Sequence, residues 1–278
     1  MGRLRSAAVS RLPLPVVARL RAAKRALTQW HWIDEAEIIA RLADTRPEQN
    51  SVLVDVGANY GSVTARFLKI GWSSIAYEPD PANRQEFERR IGPHPRVQLS
   101  AAAVSDQPAE SLSLYTSPIS VGISTLTPFH DSHEPTAEVS VVTLAEDLHS
   151  RGVAKVDFLK IDIEGFDYFA LKGFDWGYAP RFVLYEFEDR KTVPLGHTLA
   201  TSSAFLTDRG YHLVYSVWEP IIEYGTHHRW RGFFSTPPPD IGNCWGNVLC
   251  FRDSVDAASC MQRYASDLGR AIEELRRG

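Results

Sequence analysis

The chain has 278 residues, 44% of them hydrophobic and 23% charged, enough to bury a large core in one domain with extensions, a composition that selects no function by itself. Of the formal net charge of −4, residues 1–30 carry seven Lys/Arg and no acid, which leaves −11 on the rest and argues against nucleic acid as a partner. Cys244, Cys250 and Cys260 are odd in number and form no CxxC pair, so neither a disulfide scaffold nor a zinc site is expected, and the compartment reads as reducing and cytoplasmic.

Residues 1–30 read as a basic extension. Arg11, Pro13, Pro15 and Arg19 interrupt its apolar residues before any reach signal-peptide or membrane-spanning length. Such a stretch suits weak contact with an anionic membrane surface, a transit peptide, or a solvated extension. Residues 31–278 read as one domain. Apolar residues at helical spacing predict a helix over Ile33–Leu42. Val52, Leu53, Val54 and Val56 then form the near-continuous apolar run of a strand buried on both faces, broken by the turn Gly57-Ala58-Asn59-Tyr60-Gly61. A helix to about Ile70, a strand over Ser74–Tyr77 and a helix opened by Pro81 follow. Val97–Ser100 with the following AAAV reads as a third strand, leading to Ser105 and Asp106.

Strand alternating with helix predicts an α/β fold: a parallel sheet with helices on both faces. Ser111–Tyr115 and Ala137–Val142 alternate apolar and polar, as half-exposed strands do. Thr143 with Glu146 reads as a capping box, VDFLKIDIEG as another buried strand, Phe166–Leu171 as a helix and RFVLYEFE as the next strand. A helix over Thr198–Thr207, the strand YHLVYSV, an aromatic Pro- and Gly-rich excursion over residues 219–246, the strand NVLCF and an amphipathic helix over Ser254–Leu275 complete the chain.

An open parallel sheet binds ligands beyond the carboxyl ends of its strands. Five expected strands end there in polar residues: Asp55, then Glu78 with Asp80, Ser105 with Asp106, Asp162 with Glu164, and Glu186 with Glu188. Any one of them alone reads equally well as a helix cap or solvated loop residue. The glycine turn departs from the dinucleotide fingerprint GxGxxG, because Asn59 holds the second glycine position. Asp55 before the turn would repel a phosphate and attract a cationic sulfonium, which favours S-adenosylmethionine over NAD.

The ordered set VLVDVGANYGSVT, YEPDPAN, AAAVSD, STL (Ser124–Leu126), FLKIDIEGFDYFALKG and YEFE resembles the FkbM-type methyltransferases over roughly Asn50–Glu188. The resemblance implies a class I methyltransferase (Rossmann-like) fold, a seven-stranded sheet with its last strand antiparallel. It also implies methylation of hydroxyls on sugars, glycans or polyketide precursors from S-adenosylmethionine. By the same resemblance Asp55, Gly57, Asn59 and Gly61 surround the methionine part, Glu78 holds the ribose hydroxyls, and Ala103, Ser105 and Asp106 lie by the adenine. Asp162 and Glu164 then adjoin the transferable methyl. The departures are Tyr60, bulky for a turn, and Phe166 with Asp167 after the EG pair; they bear on the acceptor side.

An alcohol acceptor needs a base, and Asp162, Glu164 and Glu186 are the expected candidates, with His130, His133, His227 and His228 as alternatives. A divalent ion held by these acids is another way to activate a hydroxyl. No metal site is expected at His227 and His228, whose side chains point apart in extended chain. The stretch WEPIIEYGTHHRWRGFF reads as a wall over the acceptor or as a packing surface. The expectation is an O-methyltransferase acting on a small-molecule or glycan acceptor, of open oligomeric state. A nicotinamide-dependent oxidoreductase and a non-catalytic binding module are the alternatives.

Overall fold

The structure, a computed structural model, describes residues 33–45, 48, 50–118, 124–222 and 228–262. The basic extension over residues 1–30, His227 and the expected helix beyond residue 262 lie outside the described residues. In chain order the elements are α1 (Glu35–Thr45), β1 (Val52–Val56), α2 (Ser62–Lys69), β2 (Ser73–Tyr77), α3 (Pro81–Ile91), β3 (Val97–Ser100), β4 (Ala103–Val104), β5 (Ala109–Thr116) and β6 (Glu134–Val142). Then follow α4 (Leu144–Ser150), β7 (Phe158–Ile161), α5 (Asp167–Lys172), β8 (Phe182–Glu188), α6 (Asp189–Thr192), α7 (Leu199–Thr207), β9 (His212–Trp218), β10 (Trp230–Phe234), β11 (Trp245–Phe251) and α8 (Ser254–Cys260).

The large sheet has the order β10-β9-β11-β8-β7-β1-β2-β3. Its five strands from β3 to β8 are parallel, and β11 runs antiparallel between β8 and β9. This is the α/β sheet with a reversed last strand that the sequence implies. Two details differ. The sheet has eight strands where seven are expected, because part of the aromatic excursion pairs with β9 as the edge strand β10. The expected third strand also divides: β3 stops at Ser100, and β4 leaves to pair with β6 in a separate three-stranded sheet, β4-β6-β5. Two small residues, Ala101 and Ala102, span the step between the sheets.

Register divides the large sheet into two chemically different faces. One carries Val54, Val56, Leu159, Ile161, Val183 and Tyr185, all within the main apolar core. On the other, Leu53 pairs with Phe158 and Phe158 with Phe182, so side chains at one level point the same way. Phe67, Phe158, Phe182 and Phe251 make a chain of tilted and edge-on ring contacts there, with centroids 5.0, 6.4 and 6.1 Å apart. Each fully buried ring or Leu contributes about 1.5–3 kcal/mol. Two residues further along the same face, Asp55 pairs with Lys160, and polar chemistry begins.

The expected cap at Thr143 forms through its hydroxyl, and Asp80 and Thr198 cap two further helices. Thr143 Oγ1 accepts from Glu146 N (3.2 Å), Asp80 Oδ1 from Ala82 N (2.8 Å), and Thr198 with Thr201 forms a reciprocal capping box. The short helix α6, beginning directly after β8, was outside the expected elements.

On α1, Glu35 is a buried carboxyl whose Oε1 accepts from Ser216 Oγ (2.6 Å) and Trp218 Nε1 (3.4 Å) of β9. Burial pushes its pKa up to about 7 from an ordinary 4.5. The folded state therefore keeps a proton that the unfolded chain releases, and this group's contribution to stability falls as pH rises from 4.5 to 7. Glu35→Gln should be more stable than the wild type above pH 7, by on the order of 3 kcal/mol at most, with the gain vanishing below pH 4.5. Urea denaturation at pH 4.5 and pH 8 checks this; the same difference at both would contradict it.

Candidate active site

The glycine turn is held against the end of β2 by its own backbone. Gly57 N and Ala58 N both donate to Tyr77 O, at 2.9 and 3.0 Å. Asn59, at φ 48°, donates its N–H to Glu78 Oε2 (2.7 Å), and Asp80 N donates to Glu78 Oε1 (2.9 Å). Glu78 is thus 4% exposed at the tip of β2, with one backbone donor on each oxygen. Burial raises its pKa, against the two backbone hydrogen bonds, which lower it.

Both glycines sit at φ +73°, and each leaves room for a neighbour rather than for open space. A Cβ on Gly57 would lie 1.9 Å from the Asp162 carbonyl oxygen, and one on Gly61 2.7 Å from the Phe87 ring. The close backbone approach that the sequence reading assigns to a ligand at Gly57 is made by the loop after β7.

Asp55 is fully buried beneath this turn. Its Oδ2 accepts from Thr64 Oγ1 of α2 (2.7 Å), and its Oδ1 has no hydrogen-bond partner but lies 3.5 Å from Lys160 Nζ. Asp55 is thus tied to Lys160 of β7 and to Thr64 of α2. Lys160 Nζ donates to Gly57 O (2.7 Å) and Val56 O (3.2 Å) and stands 3.7 Å from Asp162 Oδ2. Burial alone would lower the Lys160 pKa, but the Asp162 and Asp55 carboxylates outweigh it and the net shift is upward.

The acids after β7 and β8 converge. One carboxylate oxygen from each of Asp162, Glu164 and Glu186 lies within 4.8 Å of the others. Asp162 is the open member, its side chain 46% exposed. Glu164 is buried at φ 57°, a left-handed conformation uncommon outside glycine, and Thr125 Oγ1 donates to its carbonyl (3.3 Å). Burial pushes its pKa up to about 7, against the pull of Lys191, and burial likewise drives Glu186 well above the ordinary range. Asp167, also pushed up to about 7 by burial and then by Glu186, accepts from Gly165 N (3.2 Å) and Glu186 N (3.3 Å). The sequence reading treats Asp167 only as a departure; the structure makes it the brace between the two loops.

Of the residues expected by the adenine, Ala103 lies in β4 of the small sheet, and Ser105 and Asp106 follow it. Ala103 is buried with Leu114, Val139 and Val141, so its side chain serves that sheet's core. Ser105 Oγ donates to Asp106 Oδ1 (3.3 Å), and Lys172 Nζ donates to Asp106 Oδ2 (2.5 Å). The STL segment spans the groove between these parts: Ser124 Oγ donates to Asp80 Oδ2 (3.2 Å), while Thr125 reaches the β7 loop.

Of the alternative bases, His133 Nδ1 accepts from Phe129 N and His130 N, and His130 Nδ1 accepts from Ser132 N, contacts that shape their own loop. His228 packs edge-on against Trp245 at 5.1 Å. His197, which the sequence reading omits, is buried with Nε2 3.2 Å from Gly165 O, and burial lowers its pKa. A cleft of about 650 Å³ opens at the end of β8, lined by Glu188, Asp189, Arg190, Pro194, Ile221 and Asn243 among others, and none of Asp162, Glu164 and Glu186 lines it. Part of the expected acceptor wall borders it, and Trp230–Phe234 forms the sheet edge instead.

A family model described as Methyltransferase FkbM domain matches residues 55–213. No curated protein matches the chain in sequence. Among solved structures, the chain is similar to precorrin-6y C5,15-methyltransferase from Geobacter metallireducens GS-15, with 12% identity, 77% of this chain and 87% of that one covered, and a TM-score of 0.40. It is also similar to magnesium protoporphyrin IX methyltransferase from Synechocystis PCC 6803 with bound SAH (10%, 79% and 81%, 0.40). A third is a TehB-like SAM-dependent methyltransferase from Corynebacterium glutamicum (11%, 85% and 96%, 0.37).

The turn's geometry is open to test. Gly57→Ala sets a methyl against a backbone oxygen and should cost about 2–4 kcal/mol of stability. Gly196→Ala, at φ +85° with nothing within 4 Å of the new Cβ, should cost only the dihedral strain, about 1–2 kcal/mol. Chemical denaturation measures both, and equal losses would show that contact with the Asp162 loop does not set the cost.

Proposed function

Because the chain belongs to the Methyltransferase FkbM domain family, which draws its methyl from S-adenosylmethionine, we propose that it methylates a hydroxyl oxygen of a saccharide, glycan or related natural-product precursor. The observation that carries this reading is the convergence of Asp162, Glu164 and Glu186 within 4.8 Å at the strand ends beside the glycine turn.

The residues fit the cofactor by the chemistry of their donor set. An ionised carboxylate offers about four lone-pair sites. Backbone N–H groups use one on each Glu78 oxygen, so a second on each can accept from a ribose hydroxyl without displacing Asn59 or Asp80. Asp162, the exposed carboxylate of the converging three, offers a negative group that suits a cation. When bound, S-adenosylmethionine supplies a methyl on a sulfonium, an electrophile that the acceptor oxygen attacks as its proton leaves.

This chain's residues then orient the acceptor and take that proton. Asp162, the exposed member, is placed to orient the hydroxyl. Glu164, with its pKa pushed up to about 7, is ionised in useful fraction at neutral pH and still basic enough to accept a proton. The cleft beside Glu188 offers Asp189, Arg190 and Asn243 as hydrogen-bonding groups for further hydroxyls, and Pro194 and Ile221 as apolar contacts. The family membership displaces the nicotinamide reading. A binding module on this fold would show itself as cofactor affinity without transfer to any acceptor.

Calorimetry should find S-adenosylmethionine and S-adenosylhomocysteine bound and NAD not bound. Glu78→Ala should weaken the nucleosides by roughly 10²- to 10⁴-fold, as expected for the loss of two charge-assisted bonds worth ~1.5–3 kcal/mol each. Tight NAD binding with neither nucleoside bound would overturn the cofactor assignment. With labelled methyl and a panel of saccharide acceptors, kcat should rise with pH through about 7 and level off, since the base must be deprotonated. Glu164→Gln should lower kcat ~10²–10⁴-fold and leave nucleoside affinity largely intact. An unchanged rate would remove Glu164 as the base.

A further inference from the structure

Lys191 belongs to none of the motifs. It sits on α6, a short helix in the stretch Asp189–Thr192, and reads in sequence as one of a run of charged surface residues. In the structure it is 4% exposed. Its Nζ lies 2.5 Å from Glu164 Oε2, 3.0 Å from Glu186 Oε2 and 2.9 Å from Glu188 Oε2. The Phe129 ring lies 5.1 Å from the same nitrogen, on the loop that follows the STL segment.

An ammonium has three donors, and three carboxylates surround this one, those of Glu164 and Glu188 buried and that of Glu186 largely so. Removing a cation from such a group leaves like charges a few ångströms apart in a dry environment, which must then take up protons or another cation. The spacing of the acids says which cation would fit. A hard divalent ion takes oxygen ligands at about 2.0–2.6 Å, so its ligand atoms lie within about 5 Å of one another. Asp162, Glu164 and Glu186 meet that limit at 4.8 Å, and two of the three already bind Lys191.

We propose that Lys191 is a built-in cation: its ammonium, held by Glu164, Glu186 and Glu188, fills the place between Glu164 and Glu186 that a divalent ion bound by Asp162, Glu164 and Glu186 would need, and positions those two acids for the acceptor. The inference rests on the reading of these acids as the acceptor-side groups of methyl transfer. Lys191 is a positioning residue in this account. It supplies one positive charge where a divalent ion would bring two, and no open coordination position, so the acceptor hydroxyl meets a carboxylate.

The test needs no acceptor. Wild type, Lys191→Arg, Lys191→Met and Lys191→Gln are titrated with Mn²⁺ by electron paramagnetic resonance, and thermal unfolding is followed with and without the ion. Wild type and Lys191→Arg should take up no Mn²⁺ and keep the same Tm in its presence. Lys191→Met and Lys191→Gln should lose Tm in metal-free buffer, regain part of it with Mn²⁺, and bind one ion per chain under conditions where wild type binds none. Adding Glu164→Gln to either should abolish that uptake.

One Mn²⁺ bound by the wild type and lost in Glu164→Gln would overturn the proposal, since the acids would then be an open metal site beside a lysine. Neutral variants that take up no Mn²⁺, whether folded or unfolded in both buffers, would overturn it as well. S-adenosylhomocysteine affinity, measured on the same proteins, tests the cofactor reading separately, because the Mn²⁺ outcome does not depend on it.

Discussion

The buried ammonium of Lys160 fixes the end of the sheet where ligand chemistry is possible. It stands on β7 opposite Asp55 of β1, donates to the last two carbonyls of β1 and its turn, and faces Asp162 on the next loop. Two strands distant in sequence, a glycine turn and the first of the converging acids therefore share one charge. Breaking a buried pair of this kind typically costs about 3–5 kcal/mol, because the remaining charge is stranded. The Gly57 turn closes over it, with the Asp162 carbonyl where a side chain would be. The apolar face of the sheet stabilises the fold, and this polar end of the other face sets the positions of the groups that could act.

The acids beyond that point carry strain as well as charge. Glu164 is held left-handed, Asp167 braces the loop from two sides, and burial drives Glu164, Asp167 and Glu186 towards protonation. Such arrangements persist only where the surroundings over-determine them, and they cluster at functional positions. The chemistry follows from the same packing: a carboxyl raised to about 7 is a usable base at neutral pH, which an exposed one at its ordinary value is not.

Much of this was legible in the sequence, for identifiable reasons. Val52–Val56, Phe158–Ile161 and Phe182–Glu188 are short, largely apolar runs bounded by turn residues, as buried strands are, and Thr143 announces the helix that it caps. What stayed hidden depends on register or on distant packing. Nothing local says that Lys160 meets Asp55 rather than solvent, because that contact exists only once β1 and β7 pair. Lys191 lies in a charged tetrapeptide whose burial comes from Phe129 and two strand ends. The division after Ser100 turns on Ala101 and Ala102, too small to signal a change of sheet. Trp230–Phe234 reads equally as a ligand wall or an edge strand, and pairing with β9 makes it the latter.

The central claim, that the groove between the glycine turn and the converging acids holds the methyl donor, is tested most directly by a crystal structure with S-adenosylhomocysteine. The account predicts the ribose hydroxyls on the Glu78 carboxylate, with the N–H groups of Asn59 and Asp80 still in place, and the sulfur facing the Asp162 side of the groove. A nucleoside bound elsewhere, or bound in the groove with Glu78 touching neither hydroxyl, would contradict it.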